Sequence, residues 1–527
     1  MDPASFAFSV VSMVELCIRL GKDLWARCEA YRKAECELQE ANLRVQGHWI
    51  KIEQQLSALQ AVWEALPDPL QDHQCQVLQI LQSKLEIAIG KLESLSVRST
   101  EEIAIERQTA TRGARILSKL SRTQRIEYAA YAKGSLQHIV EELERWQRDF
   151  DPSWFFLSRL AVQLIDQKFD DRRAAESKAV STVVNLRQAH QVNECSGGET
   201  FASIFLTADF HISCREKIVL SSAWTGHTDE GLVVIDRVPF KTQNDFGRRT
   251  KDVRDLARVL STVDPKFFGL LSCRGVLRTD NAFNLILPIP LSYQQAHLLS
   301  LRSILPTDAR ISYPLNERVN LAASLARSVV FLHSSSFVHK SIAPENIIIC
   351  QTDPTLLGTP FLVGFDQFRL AEGRTYRTGD NAWEKNIYRH PGRQGIRPDE
   401  EYMMQHDIYS IGVCLLEIGL WTSFVQYPGD MSKAVPEPSL SIDEFIQETD
   451  QRRAAAHIKE MLINLARTKL PLHMGTIYAE VVESCLTCLD KNNTTFGPET
   501  EFLDDDGIIV GVRYIEKVLF ELQRIVV

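Results

Sequence analysis

Two short segments hold the residue types from which a reaction centre would be assembled. One is His339-Lys340-Ser341-Ile342-Ala343-Pro344-Glu345-Asn346, and the other is Phe361-Leu362-Val363-Gly364-Phe365-Asp366. Acid–base or metal-assisted chemistry at such a place needs carboxylates. The sequence instead supplies a hydroxyl at Ser341, a methyl at Ala343 and no side chain at Gly364. Other chemistries find less support. The 11 cysteines are scattered without a paired metal-ligand spacing. Asp504-Asp505-Asp506 lacks the rest of a calcium loop and reads as a solvated turn.

The first segment, preceded by Phe331-Leu332-His333 and Phe337-Val338, resembles the catalytic loop of protein kinases. The resemblance implies that an active member carries at the Ser341 position an aspartate that orients and deprotonates the substrate hydroxyl. It implies a lysine near the transferred phosphate at the Ala343 position. His339 stands as a retained structural position, and Asn346 keeps the side chain that assists metal coordination. In the second segment Gly364 replaces the metal-holding aspartate, Phe365 preserves the hydrophobic pin, and Asp366 takes the usual glycine position. Sliding the alignment to make Asp366 the metal ligand dislocates Phe365 and leaves Ser341 unrepaired. Tyr388-Arg389-His390-Pro391 resembles the end of an activation segment. The run Asp407-Ile408-Tyr409-Ser410-Ile411-Gly412-Val413 resembles the next helix of the large lobe, with Asp407 orienting loop backbone. The implied protein is a pseudokinase, with no catalytic residue, no metal and no cofactor.

These loops need elements to position them. Leu232-Val233-Val234-Ile235 reads as a short buried strand, and residues 251–260 as a mixed-charge helix. By resemblance this strand normally presents an ATP-binding lysine. Arg237 is an insecure replacement, and Asp236 has the wrong sign. No Gly-x-Gly-x-x-Gly phosphate cover precedes the strand, since Gly197-Gly198 reads as linker. Asp255 is either an ion-pairing acid on the following helix or, on the plainer reading, a solvated surface residue.

A chain of 527 residues exceeds one ordinary core, and 44% apolar with 24% charged residues is a globular balance. The net charge of -9 gives no support to a general nucleic-acid binder. The start lacks a secretory leader, and no apolar run is long enough for a conventional spanning helix, so a cytoplasmic location is expected. Before about residue 185, apolar residues recur at intervals of three or four. Ile52, Leu56 and Leu59 form one stripe, and Leu78, Leu81, Leu85 and Ile89 form another after the Pro67-Asp68-Pro69 turn. Changes of spacing disfavour a sustained coiled coil.

The expected fold class is multidomain, an N-terminal all-α helical bundle followed by an α+β bilobal protein-kinase-like fold. Its bounds are a bundle over 1–185, a linker over 186–200 and a kinase-like domain over 201–527. Within that domain the small lobe covers about 201–290 and the large lobe about 291–527.

The bundle resembles the HeLo and HeLo-like modules of fungal cell-death and incompatibility proteins, and more distantly the executioner bundle of mixed-lineage kinase-like proteins. The initial apolar segment, Gly21, Trp49, Trp63 and a later basic helix carry that resemblance. It implies control or execution of regulated cell death through bundle oligomerisation and membrane association. Phe6, Phe8, Leu16 and Leu20 would enter the membrane, while Arg112, Arg115, Lys119 and Arg122 would meet its headgroups. The same features also fit a packed helix and a solvated basic face. The implied partners are a second copy of the chain, an upstream activating protein and anionic lipids, with recruitment to the plasma membrane on activation and no specific nucleic acid. Two alternatives stay open: a non-enzymatic intracellular scaffold without membrane damage, and an atypical protein kinase.

Overall fold

The computed structural model describes residues 3–30, 36–63, 68–101, 138–139, 141–143, 146, 204–207, 209–240, 243–305, 313–335, 337–370, 379–428, 433–440, 442, 448, 450–490, 493, 514–523 and 525. The chain divides into two units, Met1–Val183 and Val184–Val527.

In the first unit the three-and-four spacing becomes helices α1 (Pro3–Ala30), α2 (Cys36–Val62) and α3 (Asp68–Glu101). Their inward stripes are Val14, Cys17, Leu24 and Cys28 on α1, then Val45, Trp49, Ile52, Leu56 and Leu59 on α2. Helix α3 adds Val77, Leu78, Leu81 and Leu85. Gly21 is required by a close approach, because a Cβ there would lie 1.8 Å from the Trp49 ring. Trp146 is buried on the same core and donates its indole N–H to the Val77 carbonyl at 3.2 Å. Leu16 and Leu20 on α1 are half-buried. The side chains of Phe6 and Phe8, and the whole of Arg112, Arg115, Lys119 and Arg122, lie outside the described residues, as does the expected linker. Among the described residues, no helix is long and apolar enough to cross a membrane.

The second unit is mixed α+β and bilobal. Its small lobe holds β1 (Ser213–Lys217), β2 (Trp224–Thr228), β3 (Gly231–Pro239), helix α4 (Gln243–Ser261), the short α5 (Pro265–Phe268), β4 (Gly275–Arg278) and β5 (Ala282–Pro288). The five strands form one antiparallel sheet in the order β1-β2-β3-β5-β4. Strand β3 is buried from Leu232 through Asp236, whereas Arg237 points to solvent and pairs with Asn281 at 2.7 Å. Helix α4 buries Val253, Leu256, Ala257 and Leu260. Asp255 is buried with them, at 3% exposure, its carboxylate accepting from Arg254 at 3.1 Å. The solvated-surface reading of Asp255 is therefore corrected: the helix turns this position inward, and the neighbouring guanidinium keeps it paired.

The large lobe follows a short crossover of β6 (His297–Ser300) and α6 (Leu301–Ile304). Helix α7 (Leu315–Ser334) leads through β7 (Phe337–Val338) into the first candidate segment, and β8 (Ile347–Gln351) and β9 (Thr359–Leu362) carry the chain to the second. Strand β10 (Arg369–Leu370) pairs back with β7. Beyond it lie α8 (Trp383–Asn386), α9 (Met404–Leu420), α10 (Gln451–Thr468), α11 (Leu470–Met474) and α12 (Thr476–Leu486). Helix α9 is buried from Met404 to Gly419 and forms the spine of this lobe. Its Gly412 faces Cys485 of α12 so closely that a Cβ would lie 2.6 Å from the cysteine Cβ. This sequence of a five-stranded sheet with α4 and the short α5 between its third and fourth strands, then a helical lobe with two loops at its mouth, is the kinase-like architecture.

Candidate functional site

The backbone of the first loop is fixed by one buried carboxylate. Asp407, at the start of α9, is fully buried and accepts from His339 N (2.8 Å), Lys340 N (2.9 Å) and the Tyr402 hydroxyl (2.6 Å). Its second oxygen also faces His333 Nε2 at 3.1 Å. Burial alone would raise its pKa, yet the hydrogen bonds and charge of His333 with the other donors outweigh it and hold Asp407 at about 2. Lys340 takes a positive φ of 69° in this frame. His339 accepts from Ser341 N at Nδ1 (3.2 Å), which leaves Nε2 to donate to the Val363 carbonyl (3.0 Å) and so joins the two loops. Phe365 is buried, its ring 4.9 Å from that of His339.

The cleft side of the same loops is arranged differently. Ser341 Oγ donates to the Asp366 carboxylate at 2.9 Å. Asn346 Nδ2 donates to the Ser341 carbonyl at 2.7 Å, and its Oδ1 accepts from Ser222 Oγ at 2.7 Å. Ser222 belongs to the loop between β1 and β2, so this bond spans the two lobes. That loop reads Ile218-Val219-Leu220-Ser221-Ser222-Ala223 and contains no glycine. Its Leu220 nevertheless stands at φ 50°, a conformation that favours glycine. Ser300 Oγ holds the loop from below through the Val219 carbonyl at 2.7 Å. Ala343 is buried beneath.

Gly364 has φ 87°, and a Cβ built there would lie 2.2 Å from Asn346 Cγ. The space that a side chain at 364 would need is filled by the carboxamide. The Gly364 and Phe365 N–H groups donate to Asp236 of β3 at 2.7 and 3.0 Å. Asp236 is 1% exposed, and burial pushes its carboxyl up to about 6 despite those two donors. The inward group of β3 is thus Asp236, and Arg237 is excluded from the cleft by strand alternation.

Sequence reasoning missed two contributors. Asp236 was weighed only as a residue of the wrong sign, although the period of two selects it or Arg237 as the inward group once register is known. Ser222 had no local signal, since its partner lies 124 positions away. A second unread cluster is Arg302, 4% exposed, which donates to Tyr388 Oη (2.7 Å), Ser423 Oγ (3.0 Å), Glu417 (3.4 Å) and Glu345 (2.5 Å). It ties α6 to the loop, the segment near α8, and α9.

The open part of the cleft is a cavity of about 400 Å³, walled by Lys340, Ser341, Asn346, Asp366, Lys385 and Arg393 among others. Among the described residues, His390, Glu400 and His406 bring possible metal-ligand atoms within 4.8 Å of one another. Their lone pairs are already engaged. His390 Nδ1 accepts from Gly392 N, and His406 Nδ1 accepts from Met403 N while its Nε2 faces Glu400 at 3.0 Å. The Lys459 ammonium stands 3.5 Å from His390 Nε2. Glu400 is held well below the usual carboxylate range by the imidazoles of His390 and His406 beside it, and the three side chains form a hydrogen-bonded knot.

No known protein-family model matches the chain, and no curated protein does. Among solved structures, a chain in the structure of the CAK complex from Chaetomium thermophilum bound to ATP-gamma-S is similar at 16% identity and a TM-score of 0.38, covering 63% of this chain and 93% of that one. At that score the likeness carries no argument, and the fold description rests on strand order and loop positions.

Proposed function

We propose that this chain is a kinase-fold signalling protein without phosphotransfer, whose kinase-like region serves as a docking or relay element. The observation that carries this reading is the packing of Asn346 into the side-chain space of residue 364. A metal-holding carboxylate is absent from that position, and its return would displace the group that assists coordination. Asp236 supports the same reading, because it faces the loop with a carboxyl group where nucleotide phosphates need positive charge. Ser341, with its hydroxyl committed to Asp366, offers no base for a substrate hydroxyl.

The test is calorimetric titration of the full chain with ATP and magnesium. No saturable heat, and no shift in melting temperature with nucleotide, is the expected result. Saturable binding that is lost on Asp366→Ala would favour the atypical-kinase alternative.

A narrower version makes the N-terminal bundle the output, as in the HeLo-like proteins it resembles, with the kinase-like region restraining or relaying. The half-buried Leu16 and Leu20 on α1 favour it, since they would move from a protein surface to lipid. Leakage of anionic vesicles by full-length protein, reduced by Leu16→Glu, is the result this version expects. Absence of leakage with an activating partner present would leave the intracellular scaffold.

A further inference from the structure

We propose that Ile204–Thr207, with Phe210 and Ile212, form a strap that governs how firmly the small lobe holds the loop at residues 364–368. It deepens the relay reading, and because amide exchange reads it where nucleotide titration reads the loss of phosphotransfer, the two can fail separately.

Among the described residues, the chain enters its second unit at Ile204. Leu206 N donates to the Val276 carbonyl and Val276 N to the Ile204 carbonyl, both at 2.9 Å, so Phe205 lies as a parallel bridge on the edge of β4. Gly275 permits this approach, because a Cβ there would lie 2.8 Å from the Ile204 carbonyl oxygen and from the Leu206 side chain. Successive side chains of an extended segment point to opposite faces of a sheet. Leu206 packs over the face that carries Val233, Ile235 and Ile286, where Phe210 and Ile212 join it after a turn in which Phe210 N donates to the Thr207 carbonyl at 3.1 Å. Phe205 turns to the other face. Its ring centroid lies 6.2 Å from that of Phe283, which in turn stacks on Phe246 of α4 at 5.6 Å.

Each face leads to the same loop. On the first, the strap rests on Val233 and Ile235 of β3, and the next residue, Asp236, points the opposite way to accept from Gly364 and Phe365 N at 2.7 and 3.0 Å. On the second, Phe283 braces Phe246 of α4, whose Arg249 donates to the Asp366 and Phe368 carbonyls at 3.4 and 3.2 Å. Two arms that begin on one short segment thus end on both the donors and the acceptors of residues 364–368. The strap's own hold is slighter. It is half-buried at Ile204, Phe205 and Leu206, and it bridges β4 at one residue where β5 pairs with all four. A segment held at a single bridge opens at less cost than a full strand. Its opening uncovers Val233 and Ile235 and removes a support of Phe283, so that displacing the strap loosens β3 and α4 together.

The experiment is hydrogen–deuterium exchange of the full chain, read by mass spectrometry with electron-transfer fragmentation at the Leu206, Val276, Gly364 and Phe365 amides. The Lys340 amide, bound to Asp407, is the internal control. Leu206→Ala and Phe205→Ala should each speed exchange at Gly364 and Phe365 by on the order of tenfold while Lys340 changes by less than about twofold. Coupling is reciprocal, so Asp236→Ala should speed exchange at Leu206 and Val276. If a variant fails to fold, the native chain decides in rising urea below its unfolding transition. The four amides should then follow one common urea dependence, distinct from that of Lys340. Exchange that quickens at Leu206 alone, equal acceleration at Lys340, or separate urea dependences for the strap and the loop would each overturn the proposal.

Discussion

The two loops of the site are anchored by carboxylates in opposite states. At residues 339–346 a single ionised carboxylate, Asp407, binds the backbone and stays ionised because every oxygen is met by a donor. At residues 361–366 Asp236 also meets two backbone N–H groups, those of Gly364 and Phe365, yet burial pushes its carboxyl up to about 6. The difference teaches that this architecture depends on the backbone anchor and not on the groups that would react. A kinase-like large lobe therefore persists with Ser341 and Gly364 in place.

Removing the inner anchor is the severest way to break the comparison. Asp407→Ala strands two buried N–H groups, a tyrosine hydroxyl and an imidazole. It should cost about 3–5 kcal/mol in urea unfolding, enough to unfold a marginal domain.

The cleft carboxylate comes next, and its sign is opposite. An acid raised from 3.8 to about 6 contributes stability that is full below pH 3.8 and is lost as pH climbs through about 6. The loss amounts to roughly 3 kcal/mol. In Asp236→Asn this component vanishes. The stability of the variant relative to the native chain should therefore rise between pH 4 and pH 7, read as the difference of two denaturation series. A flat difference would show that Asp236 is not desolvated as described.

How much of this was legible in the sequence depends on whether the signal was local. The pair of segments holding Ser341, Asn346, Gly364 and Phe365 was readable because each occupies a short run with fixed internal spacing. The α+β bilobal class followed from them together with the Asp407 helix. Asp236 was ambiguous because Leu232 through Arg237 does not declare which side faces the cleft. Only its pairing with Leu285 of β5 sets that register. Asp255 was misread because a helix so rich in charge gives a narrow apolar stripe, and Arg254 pairs with the acid there. The clamp from Ser222 to Asn346 had no signature, being a contact between two lobes that becomes visible only when the sheet closes over the loop.

Smaller perturbations sharpen the same contrast. Gly364→Ala places a methyl against Asn346 at a positive φ and should cost about 1–3 kcal/mol. A neutral result would mean that the carboxamide swings aside freely. Ser222→Ala removes one hydrogen bond near the cleft mouth and should cost about 0.5–1 kcal/mol, with faster amide exchange in the β1–β2 loop as the more sensitive reading.

The central claim, that the cleft no longer transfers phosphate, is tested most directly by ADP production from the full chain with ATP and magnesium. The native protein should release no ADP above a protein-free control, and the double reversion Ser341→Asp with Gly364→Asp should release none either, because the Asn346 carboxamide fills the space that a side chain at 364 needs and Asp236 stays bound to the Gly364 and Phe365 N–H groups. ADP release by the native chain that disappears in Asp366→Asn would contradict it.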